Sequence, residues 1–188
     1  MKAIAMLFAA AALALPAAAQ ERSIQKEVVV KAPPEAVWKS WTTPDGIVSF
    51  FAPEAVLDIK PDGLFDIHMN PYAEPGLRGA DNMRVMGVQE NRMLTFTWNA
   101  PPHLAEARAQ RTFVIVRLAD VDGKSTRVTL HHTGWGAGGE WDKTFAYFDR
   151  AWGYVLGNLK KRHDVGPQDW TEWMANLRKA HAAASAPK

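Results

Sequence analysis

The sequence of 188 residues contains no cysteine, and this absence excludes several chemistries at once. Disulfide bonds, thiol nucleophiles and zinc sites built on thiolates all need cysteine. The hydrophobic core alone must therefore stabilise the fold. The 22 basic and 20 acidic residues give a formal charge of +2. This near-neutral balance is not that of a nucleic-acid-binding protein, and we expect no nucleic-acid partner.

Common catalytic and cofactor motifs are also missing. The chain has no glycine-rich phosphate loop, no His-Glu-x-x-His pair of metal ligands and no Gly-x-Ser-x-Gly nucleophile turn. The adjacent histidines His131 and His132 must face opposite ways on a strand, so they cannot share one metal ion. We therefore predict no metal, no cofactor and no identifiable catalytic residue, and enzymatic activity stays an open alternative.

A long apolar run without charges lies at the start of the chain. Ala3–Leu15 follows the basic residue Lys2, and Pro16 and Ala17–Ala19 offer small residues for cleavage. The run is shorter than the ~20 residues that cross a bilayer. We predict a cleaved signal peptide over residues 1–19, a periplasmic or secreted mature protein, and no stable membrane span after cleavage.

The clearest structural signal is the segment Glu140–Arg162. Its large apolar residues are separated by alternating steps of four and three, which predicts one apolar stripe on a long helix. The stripe consists of Trp141, Phe145, Phe148, Trp152, Val155 and Leu159. Such a broad aromatic surface needs an apolar sheet as its partner.

The segments before this helix supply that sheet. A strand over Ser23–Lys31 is followed by two short helices, Glu35–Thr42 and Ile47–Phe51. Alternating apolar residues then predict strands at Ala55–Lys60, Gly63–Met69, Met83–Glu90, Met93–Asn99, Thr112–Ala119 and Thr126–Thr133. We predict an α+β fold over residues 23–163, in which a curved antiparallel sheet of about six to seven strands wraps around the long C-terminal helix. The connections Asn70–Ala80 and Ala100–Arg111 are read as long loops.

Residues 164–188 form a C-terminal tail with a short amphipathic helix. Trp170, Trp173, Met174 and Leu177 have helical spacing, and a protein partner is possible through this tail. Gly153 and Gly157 share one side of the long helix, and we expect the tail tryptophans to pack there. The alternative is that both glycines are exposed.

The inward faces of the predicted strands and helix define a candidate ligand site. It consists of Phe65, Ile67, Met69, Phe96, Trp98, Val116, His132, Trp141, Phe145 and Phe148. His132 is the polar member of the set, and two roles remain open for it. It can orient a ligand or move a proton, or it can serve only as a structural hydrogen-bonding group.

Several motifs resemble a known family. They are the segments Val28–Trp38, Trp41–Gly46, Phe50–Pro53, Arg92–Trp98 and Thr126–Gly134. Together they resemble the START-like (SRPBCC) superfamily with its helix-grip fold. They are most similar to the branch related to the C-terminal domain of activators of the heat-shock-protein-90 ATPase. The resemblance implies a cavity between the curved sheet and the long helix.

The expected function is the binding of a small hydrophobic or aromatic molecule in that cavity. Two alternatives stay open. One is a protein-interaction module or a protein similar to the chaperone-ATPase activators, although export would separate this chain from a cytosolic chaperone. The other is an enzyme of the cyclase or hydrolase kind that uses His132.

Overall fold

The computed structural model describes residues 22–185, so the predicted signal segment lies outside the described residues. The strands are β1 (Ile24–Val30), β2 (Glu54–Leu57), β3 (Phe65–His68), β4 (Gly79–Ala80), β5 (Val85–Gln89), β6 (Met93–Trp98), β7 (Thr112–Asp120) and β8 (Thr126–Thr133). The helices are α1 (Pro34–Thr42), α2 (Pro44–Val48), α3 (Ala105–Arg108), α4 (Trp141–Asp164) and α5 (Thr171–Ala184).

The strands form two antiparallel sheets. One has five strands in the order β1-β8-β7-β6-β5, and the other has three in the order β2-β3-β4. A bridge between Leu64 and Arg84 joins them, and the N–H of Phe65 donates to the carbonyl of Met83 over 2.9 Å. The predicted α+β helix-grip fold is confirmed, with the smaller sheet extending the larger one at β5.

The long helix α4 lies against the sheet through the predicted stripe. Phe148, Trp152, Leu156 and Leu159 are all buried on this face. The inner faces of β6, β7 and β8 supply the other side of the core, as their alternation indicates. An ion pair of 2.7 Å between Lys26 of β1 and Asp149 of α4 links the two at the surface.

The second short helix begins earlier than predicted. The sequence favoured Ile47–Phe51, but α2 covers Pro44–Val48. Thr43 caps this helix, because its hydroxyl accepts a hydrogen bond of 3.0 Å from the N–H of Gly46. Pro44 then occupies the first helical position, where the missing N–H costs nothing. The Thr-Pro-Asp-Gly segment therefore starts this helix.

Two short elements lie inside the predicted loops. The two-residue strand β4 pairs with β3, and the four-residue helix α3 follows Pro101-Pro102. Elements this short bury too little apolar surface to leave a periodic pattern in the sequence. Both lie beside the cavity described below, so they matter more than their length suggests.

The packing predicted for the tail is wrong. Gly153 and Gly157 are exposed, and a Cβ atom added at either would meet no atom within 4 Å. The tail tryptophans instead donate their indole N–H groups to the carbonyls of Val48, over 2.6 Å, and Met69, over 3.1 Å. Val48 ends a helix and Met69 follows a strand, where carbonyls lack partners of their own. Hydrogen bonding decides where the tail lies.

Candidate functional site

A cavity of about 270 Å³ lies between α4, the end of β6 and two loops. The lining residues are Phe51, Met69, Asn70, Leu77, Arg78, Gly79, Ala80, Trp98, Asn99, Ala100, Pro101, Pro102, Tyr147, Phe148, Ala151, Trp152 and Val155. Most of this surface is apolar. Leu77 and Tyr147 are exposed large side chains, which indicates that the cavity opens to solvent between them.

One face of α4 forms a wall of the cavity. Phe148, Ala151, Trp152 and Val155 are spaced three or four residues apart, so they lie on one side of the helix. The opposite wall comes from Trp98, whose ring centre lies 5.4 Å from that of Trp152. Phe51 packs against both indoles at 5.8 Å. Helix and strand thus meet across an aromatic surface.

A buried ion pair holds the two loops beside the opening. A guanidinium nitrogen of Arg108 lies 3.2 Å from a carboxylate oxygen of Asp81. Arg108 also donates to the carbonyls of Gly76, Gly79 and Ala100, so its charge is satisfied although burial lowers its pKa. This single side chain fixes residues 76–81 relative to residues 100–108.

The carboxylate of Asp81 organises its own loop. Its two oxygens accept hydrogen bonds of 3.0 Å from the N–H groups of Gly76 and Gly79. A second cavity of about 350 Å³ lies on the other side of this ion pair and shares Leu77, Asn99 and Pro102 with the first. The loop is therefore built around one acidic and one basic residue that the sequence prediction did not single out.

Three of the predicted ligand-binding residues line the cavity, namely Met69, Trp98 and Phe148. Phe65, Ile67, Phe96 and Val116 are buried in the main core away from the cavity surface. Trp141 belongs to a smaller cluster with Ala100, Leu104 and Ala107. Phe145 lies beside Trp135, with the guanidinium of Arg22 4.1 Å above its ring.

His132 is fully buried and does not line the cavity. Its Nδ1 accepts a hydrogen bond of 2.9 Å from the indole N–H of Trp152. Its Nε2 lies 2.7 Å from the hydroxyl of Thr112 and therefore carries the proton and donates. Burial lowers the pKa of His132 to about 3. With both nitrogens engaged, the ring has a structural position behind the cavity wall, where it has no contact with a ligand.

The polar lining residues Asn70, Arg78 and Asn99 were missed by the sequence argument. Asn70 and Arg78 lie in a predicted loop, and Asn99 is the residue directly after β6. Alternation along β6 identified Trp98 but ends at that residue, and no motif marks the asparagine. Arg78 has no carboxylate ion pair within residues 22–185, and its Nε donates to the carbonyl of Ala73 over 3.3 Å.

Clusters of metal-ligating side chains and membrane-spanning helices were both sought in the described part of the chain. Residues 22–185 contain no group of three or more histidine or acidic side chains placed to hold a metal ion. The helices of the same range are all too short or too polar to cross a membrane.

Comparisons with known proteins show the family. Residues 31–164 match the family model described as activator of Hsp90 ATPase homolog 1-like protein. A comparison with curated proteins gives no significant match. Among solved structures, a Mesorhizobium loti protein superposes with a TM-score of 0.62 at 19% identity, over 76% of this chain and 97% of its own.

Two further structures carry the family name in their descriptions. The Aha1 dimer from Colwellia psychrerythraea gives a TM-score of 0.60 at 19% identity, over 77% of this chain and 98% of its own. An AHSA1-like protein from Rhizobium etli gives 0.56 at 21% identity, over 81% and 88%. The helix-grip fold and the match over residues 31–164 show that this chain belongs to the activator of Hsp90 ATPase homolog 1-like family, a branch of the START-like superfamily.

Proposed function

We propose that this chain binds a small, largely apolar ligand with aromatic character in the cavity beside α4, and that it does so outside the cytoplasm. The observation that carries the proposal is the lining itself. Two tryptophans, two phenylalanines and five aliphatic residues line the same space, namely Trp98, Trp152, Phe51, Phe148, Leu77, Ala80, Ala100, Ala151 and Val155. Ligand sites have this composition of apolar walls with a few polar groups.

The cavity volume limits the ligand. About 270 Å³ lies just below the ~300–1,000 Å³ that ligand pockets usually enclose. A molecule of one or two rings fits this space, whereas a long lipid chain would extend past Leu77 into solvent. The stacked and tilted rings of Trp98, Phe148 and Trp152 offer the offset and edge contacts that aromatic ligands prefer.

Arg78 sets the charge preference of the site. It is the one charged residue of the lining, and its guanidinium forms no ion pair with an acidic residue of the described range. An uncompensated positive charge beside an apolar cavity attracts anions and repels cations. The site is therefore suited to neutral or anionic aromatic molecules, and a cationic ligand is disfavoured.

Titration with naphthalene tests the binding function. The protein, ¹⁵N-labelled and starting at Gln20, is titrated and followed by heteronuclear NMR. Binding in the cavity should shift the backbone signals of Phe148, Ala151 and Val155, together with the indole signals of Trp98 and Trp152. Absence of any saturable shift would contradict the proposal.

Two alanines of α4 offer a matched pair of control variants. Ala151 lines the cavity, whereas Ala146 is exposed on the same helix. Ala151→Phe fills the space and should abolish naphthalene binding, while Ala146→Phe should leave it unchanged. If both variants lose naphthalene binding equally, or if both retain it, the bound molecule lies outside this cavity.

The extracytoplasmic location is supported by the basic start, apolar run and small residues of positions 1–19. Intact mass of the protein from its native host tests it. A mature chain that begins at or near Gln20, recovered from the extracytoplasmic fraction, is the expected result. Full-length chain confined to the cytosol would overturn the location and return this chain to the compartment of a cytosolic chaperone.

A further inference from the structure

Asn99 carries an unusual buried acceptor. The residue is only 5% exposed, yet its Oδ1 atom has no hydrogen-bond partner in the described part of the protein. Two other buried side-chain atoms of this range share that condition, the Nε1 of Trp41 and the Nε of Arg162. Of the three residues, Asn99 alone lines the cavity.

Several other polar groups around the cavity already have partners in the loops. Asn70 Oδ1 accepts a hydrogen bond of 3.2 Å from the N–H of Tyr72, and Arg78 donates to Ala73. Asp81 and Arg108 satisfy each other and the surrounding loop. The loop network therefore leaves the carboxamide oxygen of Asn99 without a donor.

An unpaired buried acceptor costs free energy, because it has lost its hydrogen bonds to water and gained none in return. Native proteins keep few such groups, and those that persist commonly have a role. Asn99 belongs to the lining of both cavities. Its terminal torsion is broad, so a rotation about Cβ–Cγ can turn the oxygen toward a ligand in the first cavity.

We infer that Asn99 is the polar anchor of the cavity and selects ligands that present one O–H or N–H donor on an otherwise apolar ring system. This inference rests on the proposed binding function and specifies its ligand class as phenols, indoles and similar aromatic donors. The apolar walls provide the contact area, and Asn99 provides the orientation. A site that offers a hydrogen-bonding group discriminates strongly against an analogue that lacks the matching group.

The test compares 2-naphthol with 2-fluoronaphthalene, which has nearly the same shape but no donor. Dissociation constants are measured by NMR titration of the protein that starts at Gln20. We expect 2-naphthol to bind about tenfold more tightly, the effect of one net hydrogen bond. In Asn99→Leu this preference should disappear, while the affinity for 2-fluoronaphthalene stays equal or rises.

The same substitution at the other asparagine of the lining is the control. Asn70→Leu should keep the preference for 2-naphthol, because the Asn70 oxygen is already occupied by Tyr72. Asn99→Asp, which retains an acceptor, should also keep it. If Asn99→Leu does not fold, Asn99→Ala replaces it, because alanine also lacks the acceptor and should lose the preference. The measured quantity is the ratio of the two dissociation constants, so a general change of cavity shape cancels.

The outcomes separate the inference from the proposed function. If the wild-type protein binds both naphthalenes equally, or if Asn99→Leu retains the tenfold preference, the role of Asn99 is overturned while the binding function stands. If the wild-type protein binds neither compound and no naphthalene, the binding function itself fails. Loss of the preference in Asn70→Leu as well as Asn99→Leu would also overturn the specific assignment.

Discussion

The indole N–H of Trp152 donates to Nδ1 of His132 over 2.9 Å, and this bond determines which histidine nitrogen carries the proton. Nε2 must then donate to the hydroxyl of Thr112, which lies 2.7 Å away. Thr112 in turn donates to the carbonyl of Trp98 over 3.3 Å. A chain of three hydrogen bonds thus connects α4, β8, β7 and β6 behind the cavity, and two of the residues it joins are cavity tryptophans.

The neutral state of His132 predicts a pH-dependent stability. Burial lowers the pKa of His132 to about 3, whereas the unfolded chain takes up this proton near pH 6.5. Between these values the unfolded state binds one more proton, so the free energy of unfolding falls as the pH falls below 6.5. By pH 5 the titration of His132 should have lowered the free energy of unfolding by about 2 kcal/mol. Urea denaturation at pH 7, 6 and 5 measures the free energy of unfolding with the contributions of all titrating groups.

Comparison with His132→Gln isolates the contribution of His132, because glutamine can accept from Trp152 and donate to Thr112 without titrating. The variant should lose about 2 kcal/mol less than the wild-type protein between pH 7 and pH 5. Parallel curves for the two proteins would show that His132 is not the titrating group, whatever their difference in stability at pH 7.

The geometry of Arg108 predicts that lysine cannot replace it. The guanidinium bonds Asp81 and the carbonyls of Gly76, Gly79 and Ala100 at the same time. A lysine keeps the charge but lacks the planar fork. Arg108→Lys should therefore lower the free energy of unfolding by about 2–4 kcal/mol, through unpaired carbonyls and a weakened buried ion pair.

The exposed Arg127 offers the control for that substitution. It forms an ion pair of 3.1 Å with Glu27, and both side chains are about half exposed. Arg127→Lys should change the free energy of unfolding by less than about 0.5 kcal/mol. Chemical denaturation measures the free energy of unfolding of both variants. A change below about 0.5 kcal/mol in Arg108→Lys as well would show that the loops hold together without the guanidinium.

Open space around Gly157 predicts that alanine stabilises the protein. Glycine inside a helix costs roughly 1 kcal/mol relative to alanine, and a Cβ atom at Gly157 would meet nothing within 4 Å. Gly157→Ala should raise the melting temperature by about 2–4 °C. Gly63→Ala is the opposite case, since its Cβ would lie 1.9 Å from the carbonyl oxygen of Asp58. A calorimetric scan should show a lowered melting temperature for that variant.

The sequence predicted those elements whose periodicity reflects burial along a whole face. The steps of four and three along α4 reflect one long buried face, which packs on the sheet from Phe148 to Leu159. The bounds of β8, Thr126–Thr133, follow its alternation residue for residue. Short elements such as β4 and α3 escaped prediction, because they are held by hydrogen bonds between distant loops. Periodicity carries no information about such bonds.

The same limit applies to the candidate site. Alternation distinguishes the interior from the exterior, so it identified Trp98 and Phe96 alike, but it does not show where the interior contains a cavity. That position depends on the loops held by Asp81 and Arg108, which are 27 residues apart in the chain. The sequence does not identify Asn99 either, because only the three-dimensional hydrogen-bond network shows that its side-chain oxygen has no partner.

The docking of the tail leads to the last prediction. Trp170 and Trp173 hold α5 by donating to Val48 and Met69, and no residue of α5 is buried. Trp173 is 49% exposed. Further contacts of the tail are a ring stack of Tyr72 on His181, a hydrogen bond from Arg178 to Tyr72, and a hydrogen bond of 2.8 Å from the N–H of Gln168 to the carbonyl of Ser49. The helix is therefore attached by a few bonds, each worth about 1 kcal/mol.

Replacement of both tail tryptophans by phenylalanine should release α5. The double variant keeps most of the apolar surface but removes both donors and leaves two carbonyls unpaired. Limited trypsin digestion, which can cut after Arg178 or Lys179, should cleave the tail several-fold faster, while the melting temperature of the body changes little. Mass spectrometry identifies the cut.

Trp135→Phe, which removes an indole donor to the carbonyl of His132, should leave tail cleavage unchanged. Unaltered cleavage in the double variant would mean that contacts other than the two indole bonds hold the tail. Because Met69 and Asn70 line the cavity, release should also speed the exchange of bound naphthalene, which line-shape analysis in the NMR titration measures.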